Sequence, residues 1–393
     1  MVYKDANTLI AANFNDSYFH LHDHVYINGM DVGSRNGSTK EILNFKTTLT
    51  NPGNRCIAGY RRNVNIFFLL AESLWIFNGR RDLEFLEIFN SGMKEFSEDG
   101  KFFHAPYGWR IRKFGVSSLQ EITEESLKAV EQSKDQLKEV LNMLDTNPTD
   151  RRVVISVWNP EFDLNTISRD HPCNSMLMFK VRNHQLHQTI QNRSNDLNRG
   201  LTTNVFQFSF IGETMSAILG LEYATQTHNS QSLHLYTQHE LTTPLQAEFM
   251  RGDYSLFQAQ KLSDINFYDL FEALPIQFNF KQKYLSITEK LFWVDFYLHA
   301  IILKILNRSK AKSIIETVDE VVFEDELKEF CYNFWYTYKL LQIYTDYKTH
   351  KDHELAIAAL MNLYTSIGSS RYDISVLSLN FFMRRIHDKD KNK

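Results

Sequence analysis

Cysteine, excess charge and long apolar runs are scarce in this 393-residue chain, and each scarcity excludes something. The three cysteines, Cys56, Cys173 and Cys331, lie far apart and form no metal-type CxxC pair, so reduced thiols in an intracellular protein are expected. A formal net charge of −4 lacks the basic excess that bulk phosphate-backbone binding needs. No direct nucleic-acid binding is therefore expected, and any phosphate contact should be local. The start, Met1-Val2-Tyr3-Lys4-Asp5, has no apolar secretory core. The most apolar late run, residues 291–306, is interrupted by Asp295, His299 and Lys304 and is too short to span a bilayer. It reads as a buried helix, and a cytoplasmic protein without a membrane segment is the expectation. There is no internal repeat, and only the tail 388–393 has the composition of a disordered segment.

What is present suits a packed protein: 43% hydrophobic and 13% aromatic residues. The length suggests a catalytic core of roughly 250 residues plus a smaller unit. Residues 25–50 alternate short β-like runs with turn signals at Asn28-Gly29 and Asn36-Gly37. Residues 64–77 are too continuously apolar for a surface helix and predict a buried one carrying a single carboxylate, Glu72. A charged amphipathic helix is expected over 118–144, stopped by Asn147-Pro148. Strands follow at 152–158, 175–181 and 185–190, the last two joined near Asn183-His184, and then a central helix over 204–221. Beyond about residue 280 the pattern becomes long helices, 287–307, 324–347 and 352–367. The division expected is a catalytic domain, 1–280, and a C-terminal helical extension, 281–393.

Chemistry concentrates in Asp170-His171-Pro172-Cys173-Asn174 and in Asn192-Arg193-Ser194-Asn195-Asp196 followed by Arg199-Gly200-Leu201-Thr202-Thr203-Asn204. A thiol is thus accompanied by a cation, a hydroxyl, a carboxylate and a carboxamide, which is what a thiol needs in order to attack a pyrimidine ring. A free thiol ionises near pH 8.5, so it needs nearby positive charge at neutral pH, and Arg193 is the candidate.

These residues resemble the thymidylate synthase superfamily. The resemblance is carried by Arg151-Arg152 before a strand, Trp158-Asn159, Pro172-Cys173, Arg193-Ser194-x-Asp196, Gly200-Leu201-x-x-Asn204 and His234-Leu235-Tyr236. It also includes Arg35-Asn36-Gly37 and Glu72-Ser73-Leu74-Trp75, and it runs in the family's order over about residues 30–240. It implies an α+β fold, a large mixed and mainly antiparallel sheet with flanking helices that dimerises through its sheet face, to which the C-terminal helices are added.

The resemblance also implies roles. Cys173 would add to C6 of a uracil nucleotide, making C5 nucleophilic towards the methylene carbon of the co-substrate 5,10-methylenetetrahydrofolate. Arg35, Arg193 and Ser194 would hold the dUMP phosphate, with Arg151 and Arg152 reaching across a homodimer; guanidinium forks suit phosphate. Asn204 would read the base, since a carboxamide can donate to O4 and accept from N3–H of uracil at once. Cytosine-specific hydroxymethylases of the family carry aspartate there. His234 and Tyr236 would hold the sugar 3′-hydroxyl, Asp196 the folate pterin, and Trp109, Gly200 and Leu201 the rest of the folate wall. Glu72, raised in pKa by burial, would move protons through water near O4 and C5.

His20-Leu21-His22-Asp23-His24 competes as a metal cluster. It lacks the extra residue of the hydrolase pattern His-x-His-x-Asp-His, and no later ligand set follows at a recognisable spacing. Set on a strand, the three histidines would share one face, so no metal site is expected.

Methyl and hydroxymethyl transfer share every step up to an exocyclic methylene on C5. The family's synthases carry Leu-Pro-Phe-Asn and Pro-Cys-His where this chain has Leu201-Thr202-Thr203-Asn204 and Pro172-Cys173-Asn174, and their Tyr-Gly-x-x-Trp-Arg is Tyr107-Gly108-Trp109-Arg110-Ile111-Arg112. Their short apolar C-terminus is replaced by the helical segment ending in residues 388–393. A wetter folate pocket favours water over hydride, so the expectation is a deoxyuridylate hydroxymethylase, similar to the bacteriophage enzymes that make 5-hydroxymethyl-dUMP for modified DNA. The alternatives are a divergent thymidylate synthase and a non-catalytic nucleotide-binding or assembly protein on the same scaffold.

Overall fold

One mixed sheet organises the N-terminal part of the chain in a computed structural model. The structure describes residues 3–5, 7–34, 37–57, 64–119, 123–238, 275–311 and 318–367. Its nine strands are β1 Tyr3–Lys4, β2 Thr8–Ala11, β3 Met30–Ser34, β4 Gly37–Leu49, β5 Val154–Ser156, β6 Asn174–Arg182, β7 Gln185–Asn192, β8 Asn195–Asp196 and β9 Glu222–Tyr236. The order is β1-β2-β4-β9-β7-β6-β5, with β3 added to β4 and β8 to β9. β2–β4, β7–β9 and β8–β9 are parallel; the other pairs are antiparallel. This is the α+β class expected. The β6–β7 hairpin turns on Asn183 and His184, both at positive φ (51° and 62°), the backbone a two-residue turn between right-twisted strands requires.

The helices are α1 Phe14–Asn28, α2 Ile66–Phe77, α3 Leu83–Phe89, α4 Tyr107–Arg112, α5 Glu124–Gln132, α6 Gln136–Thr146, α7 Pro160–Asp163, α8 Thr202–Leu219, α9 Ile287–Lys310, α10 Val318–Phe330, α11 Tyr332–His350 and α12 His353–Ile367. None of the described helices is long and apolar enough to cross a membrane. Where the sequence predicts one helix over 118–144 there are two. Asp135 interrupts the run, its carboxylate capping α6 by accepting the Lys138 amide at 3.1 Å. The predicted 324–347 helix likewise breaks at Cys331, between α10 and α11. The histidines at 20, 22 and 24 lie on α1 rather than on a strand. The helix is fixed by Phe14, Tyr18, Leu21 and Val25, all buried at helical spacing. The disordered-tail expectation for 388–393 lies outside the described residues.

Every residue of α2 is buried except Glu72, which is half-buried, so this helix needs cover on all sides. α8 supplies one side, with Phe210 edge-on to Phe77 at 6.1 Å. The C-terminal helices supply another: Tyr344 stacks on Phe67 at 4.7 Å and on Phe89 at 5.4 Å, and its hydroxyl donates to the Phe89 carbonyl at 3.1 Å. Arg112 ties the same junction together. Its guanidinium reaches Asp135, the cap of α6, at 2.9 Å, Asp295 on α9 at 2.7 Å and the Phe77 carbonyl at 2.9 Å. One continuous apolar core therefore runs from α2 and α8 through α9 to α12.

Candidate active site

The segment that ends in Cys173 is anchored before it reaches β6. The Ser168 hydroxyl and the Arg169 amide donate to Glu98 at 2.9 and 2.8 Å, and Asp170 accepts the Ala105 amide at 2.8 Å. Arg193, at the end of β7, is strapped over the cysteine's own backbone. Its amide donates to the Cys173 carbonyl and its Nε to the Pro172 carbonyl, both at 2.9 Å. Its guanidinium lies 5.8 Å from the Trp158 ring. Burial pushes the Cys173 thiol up; Arg193 pulls it down, and Asp170 and Asp196 push it up further. Arg193 thus acts in the expected direction, but in the chain alone burial outweighs it.

Beside the thiol lies Tyr107, and burial, with Cys173 and Asp170 adding to it, holds its phenol far above its ordinary range. Tyr107 reaches this point because Gly108 allows α4 to press on α2: a β-carbon there would lie 2.1 Å from the Ile76 carbonyl oxygen. Asn174 Nδ2 donates to Asn204 Oδ1 at 3.2 Å, joining the first residue of β6 to the first turn of α8. Gln207, one turn further along α8, donates to the Glu72 carboxylate. Burial pushes Glu72 up to about 8, Gln207 offsetting part of this and Asp170 adding repulsion. Burial also raises Asp170, to about 6. Cys173, Asn204, Glu72 and Arg193 are thus brought to one place, joined by Tyr107, Asp170 and Gln207, for which the sequence alone assigned no role. Asp170 lies in the run that ends in Cys173, but nothing in the sequence marks its carboxyl as one that burial shifts.

The other candidates spread further. Asp196 caps the π-helical turn Leu197–Leu201, accepting the Asn198 amide at 2.9 Å, and stays electrostatically coupled to the thiol. It pairs in register with His234 of β9, whose ring packs edge-on to Tyr236 at 5.5 Å. Ser194 follows Arg193, half-buried, and Gly200 is half-buried at the same turn, whereas Leu201 lies in the core against α1. The Thr203 hydroxyl turns back onto the Arg199 carbonyl at 2.6 Å. Trp109 is buried, its indole donating to the Val116 carbonyl at 2.9 Å and its ring under Arg81. Neither contact belongs to the Cys173 group. Arg151 and Arg152 are exposed before the edge strand β5, Arg152 paired with Asp150 at 2.7 Å; within this chain they do not meet the thiol. Arg35 lies outside the described residues. Arg193 also borders a cleft of about 420 Å³ together with Lys46, Asn44, Ser175, Gln191 and Asn229.

His104, Asp163 and His171 converge closely enough to suggest metal ligands. Arg110 occupies that position instead: it donates to Asp163 at 2.9 Å, while His104 and the Asn159 amide take the rest of the carboxylate at 3.2 and 2.8 Å.

Behind the thiol the buried side of β6, β7, β8 and β9 is unusually polar. Seven buried atoms have no hydrogen-bond partner among the described residues: Asn174 Oδ1, Asn192 Oδ1, Asn195 Oδ1, Gln188 Nε2, Gln226 Oε1 and both ring nitrogens of His228. At ~1–3 kcal/mol each, leaving them unmet would cost roughly 7–20 kcal/mol, as much as the ~5–15 kcal/mol that holds a domain folded. Groups in this number require partners small enough to enter a packed interior.

The thymidylate synthase family model matches residues 16–274. The deoxyuridylate hydroxymethyltransferase of Bacillus phage SP01 is 40% identical over 207 residues, 52% of this chain and 52% of the relative. That of Pseudomonas phage M6 is 33% identical over 213 residues, 53% and 56% of the two chains. Human thymidylate synthase is 28% identical over 204 residues, 52% and 61%. The chain spans between half and two thirds of the length of the curated relatives it matches.

Proposed function

The chain belongs to the thymidylate synthase family, and on that footing we propose that it is a deoxyuridylate hydroxymethylase making 5-hydroxymethyl-dUMP. The observation that carries the reading is the 40% identity to a phage deoxyuridylate hydroxymethyltransferase, taken with the Asn174–Asn204 carboxamide pair beside Cys173. Asn204 offers the donor and acceptor that uracil needs, and Asn174 stands where the family's synthases carry histidine.

In this reading the Cys173 sulfur bonds to C6, the C5–C6 π pair moves to C5 and O4, and C5 bonds to the methylene carbon. 5,10-Methylenetetrahydrofolate supplies that carbon at the oxidation level of formaldehyde. Glu72, held protonated at neutral pH, hydrogen-bonds O4 and with nearby water carries the C5 proton away. The methylene carbon's bond to folate N10 breaks as C5 bonds to it; loss of the C5 proton then expels N5, releasing tetrahydrofolate and leaving an exocyclic methylene. Water then adds its oxygen to this carbon, C5=C6 re-forms, and the thiolate departs with the proton that water gives up. Arg193 and Lys46 beside their cleft offer positive charge to a phosphate, and Ser194 adds a hydroxyl. Asp196, Gly200, Leu201 and Trp109 stand on the folate side, and His234 and Tyr236 on the sugar side. Arg35, Arg151 and Arg152 act as phosphate ligands, the last two in a homodimer, and residues 1–280 and 281–393 are the catalytic domain and its extension. This is a cytoplasmic reaction of free nucleotides.

Incubation with dUMP and methylenetetrahydrofolate, followed by mass analysis of the nucleotide, tests the proposal. A product heavier than dUMP by CH₂O is expected; dTMP with dihydrofolate would replace it by the synthase reading. Tritium release from C5, absent in Cys173→Ala, separates both from a protein that only binds nucleotide.

A further inference from the structure

We propose that Gln188, Gln226 and His228 line an internal water-binding site that opens onto the nucleotide site at Asn174 and supplies the water used in hydroxymethylation. The supply role rests on the hydroxymethylase reading; the water site does not.

Strand register places these residues in a row. Gln188 of β7 pairs with Gln226 of β9, Ile190 with His228, Asn192 with Ser230, and Asn192 again with Asn174 across β6. All of the polar members are buried, and Gln188, Gln226, His228 and Asn174 are fully inaccessible. α8 roofs the row: Gln226 Nε2 donates to the Val205 carbonyl at 3.3 Å, and Phe208 lies 6.5 Å from the His228 ring. Val205 directly follows Asn204, so the roof is the same helical turn that presents the base-reading carboxamide.

Chemically the unmet groups match water. Gln188 Nε2 donates, Gln226 Oε1 accepts, and an uncharged imidazole offers one of each. Burial holds His228 neutral, with its pKa down at about 3. Tyr223 takes the remaining Gln188 oxygen at 2.6 Å, which fixes the direction of its free N–H. Donors and acceptors facing each other without direct bonds are bridged by water when they are buried and polar. At the other end of the row, Asn174 Oδ1 is free while its nitrogen holds Asn204. A water leaving the row therefore arrives beside the base.

The test has two arms. A high-resolution crystal structure of the full chain should show ordered water on the His228 ring nitrogens and on Gln226 Oε1; a dry row with Gln188 bonded directly to Gln226 overturns the site. In the second arm His228→Phe and Gln226→Leu are assayed with 2-mercaptoethanol as a competing nucleophile for the exocyclic methylene. The ratio of hydroxymethyl to thioether product should fall about fivefold, the factor set by one lost net hydrogen bond. C5 tritium release should stay near wild type, and His228→Gln should restore the ratio. Folded variants with an unchanged ratio overturn the supply role. If wild type makes only dTMP, the hydroxymethylase reading fails by itself and the crystallographic arm still decides the water site.

Discussion

Replacing Glu72 by glutamine should change how stability depends on pH, with a sign set by burial. The carboxyl is moved from 4.5 to about 8, so between these values the folded chain holds a proton that the unfolded chain has lost. Its stabilising contribution is complete below about pH 4.5 and is lost as pH rises through about 8. The slope is about 1.4 kcal/mol per pH unit, and the total is at most about 5 kcal/mol. Glutamine keeps the shape, can accept the Gln207 hydrogen bond and is neutral at every pH, so Glu72→Gln removes the slope. Urea unfolding of both proteins at about pH 5.5, 7 and 8.5 should show the variant gaining about 3 kcal/mol on wild type across the series. Parallel pH dependences would refute the conclusion that burial holds this acid neutral, and with it the assignment of Glu72 as proton carrier at neutral pH.

Asn204→Asp should reverse base preference: kcat/KM for dUMP falls roughly 100-fold or more, and C5 tritium release from dCMP appears, because a carboxyl presents the opposite pattern to the ring. Gly108→Ala should cost roughly 2–3 kcal/mol in thermal or urea unfolding, since its methyl meets the Ile76 carbonyl and α4 must withdraw from α2. A chain cut after residue 280 loses Tyr344 from Phe67 and Phe89 and Asp295 from Arg112. It should show no cooperative unfolding and should bind a hydrophobic dye, whereas a fully soluble, cooperative fragment would support a separable catalytic domain.

Elements whose cause is local were legible in the sequence. The run 64–77 could only be a buried helix, and Asn183-His184 fixed a hairpin. Where two local signals coincide, reading stopped short: histidines at 20, 22 and 24 fit a strand face, and only the longer spacing of Phe14, Tyr18, Leu21 and Val25 identifies a helix. The cap at Asp135 was visible as Ser133-Lys134-Asp135 but was weaker than the amphipathic pattern around it. In the site, the family pattern pointed to Cys173, Arg193, Asn204 and Glu72, which the fold brings together. It could not show that Trp109 spends its N–H on Val116, nor that Asp170 and Tyr107 close on the thiol, because those facts arise from loops packing across long sequence separations. Alternating polar residues at 188, 226 and 228 look in sequence like a solvent-facing strand; only the roof formed by α8 makes them interior.

The absence of a polar stripe on α2 also bears on how the protein is made. On the ribosome this helix emerges some 220 residues before Leu291 and Val294, and still longer before Phe334 and Tyr344, all of the core it joins. At ~5–20 residues per second the interval from α2 to Tyr344 is roughly 13–55 seconds. During it, Phe67 and its neighbours are without their final cover, long enough for a chaperone to bind or for two nascent chains to meet.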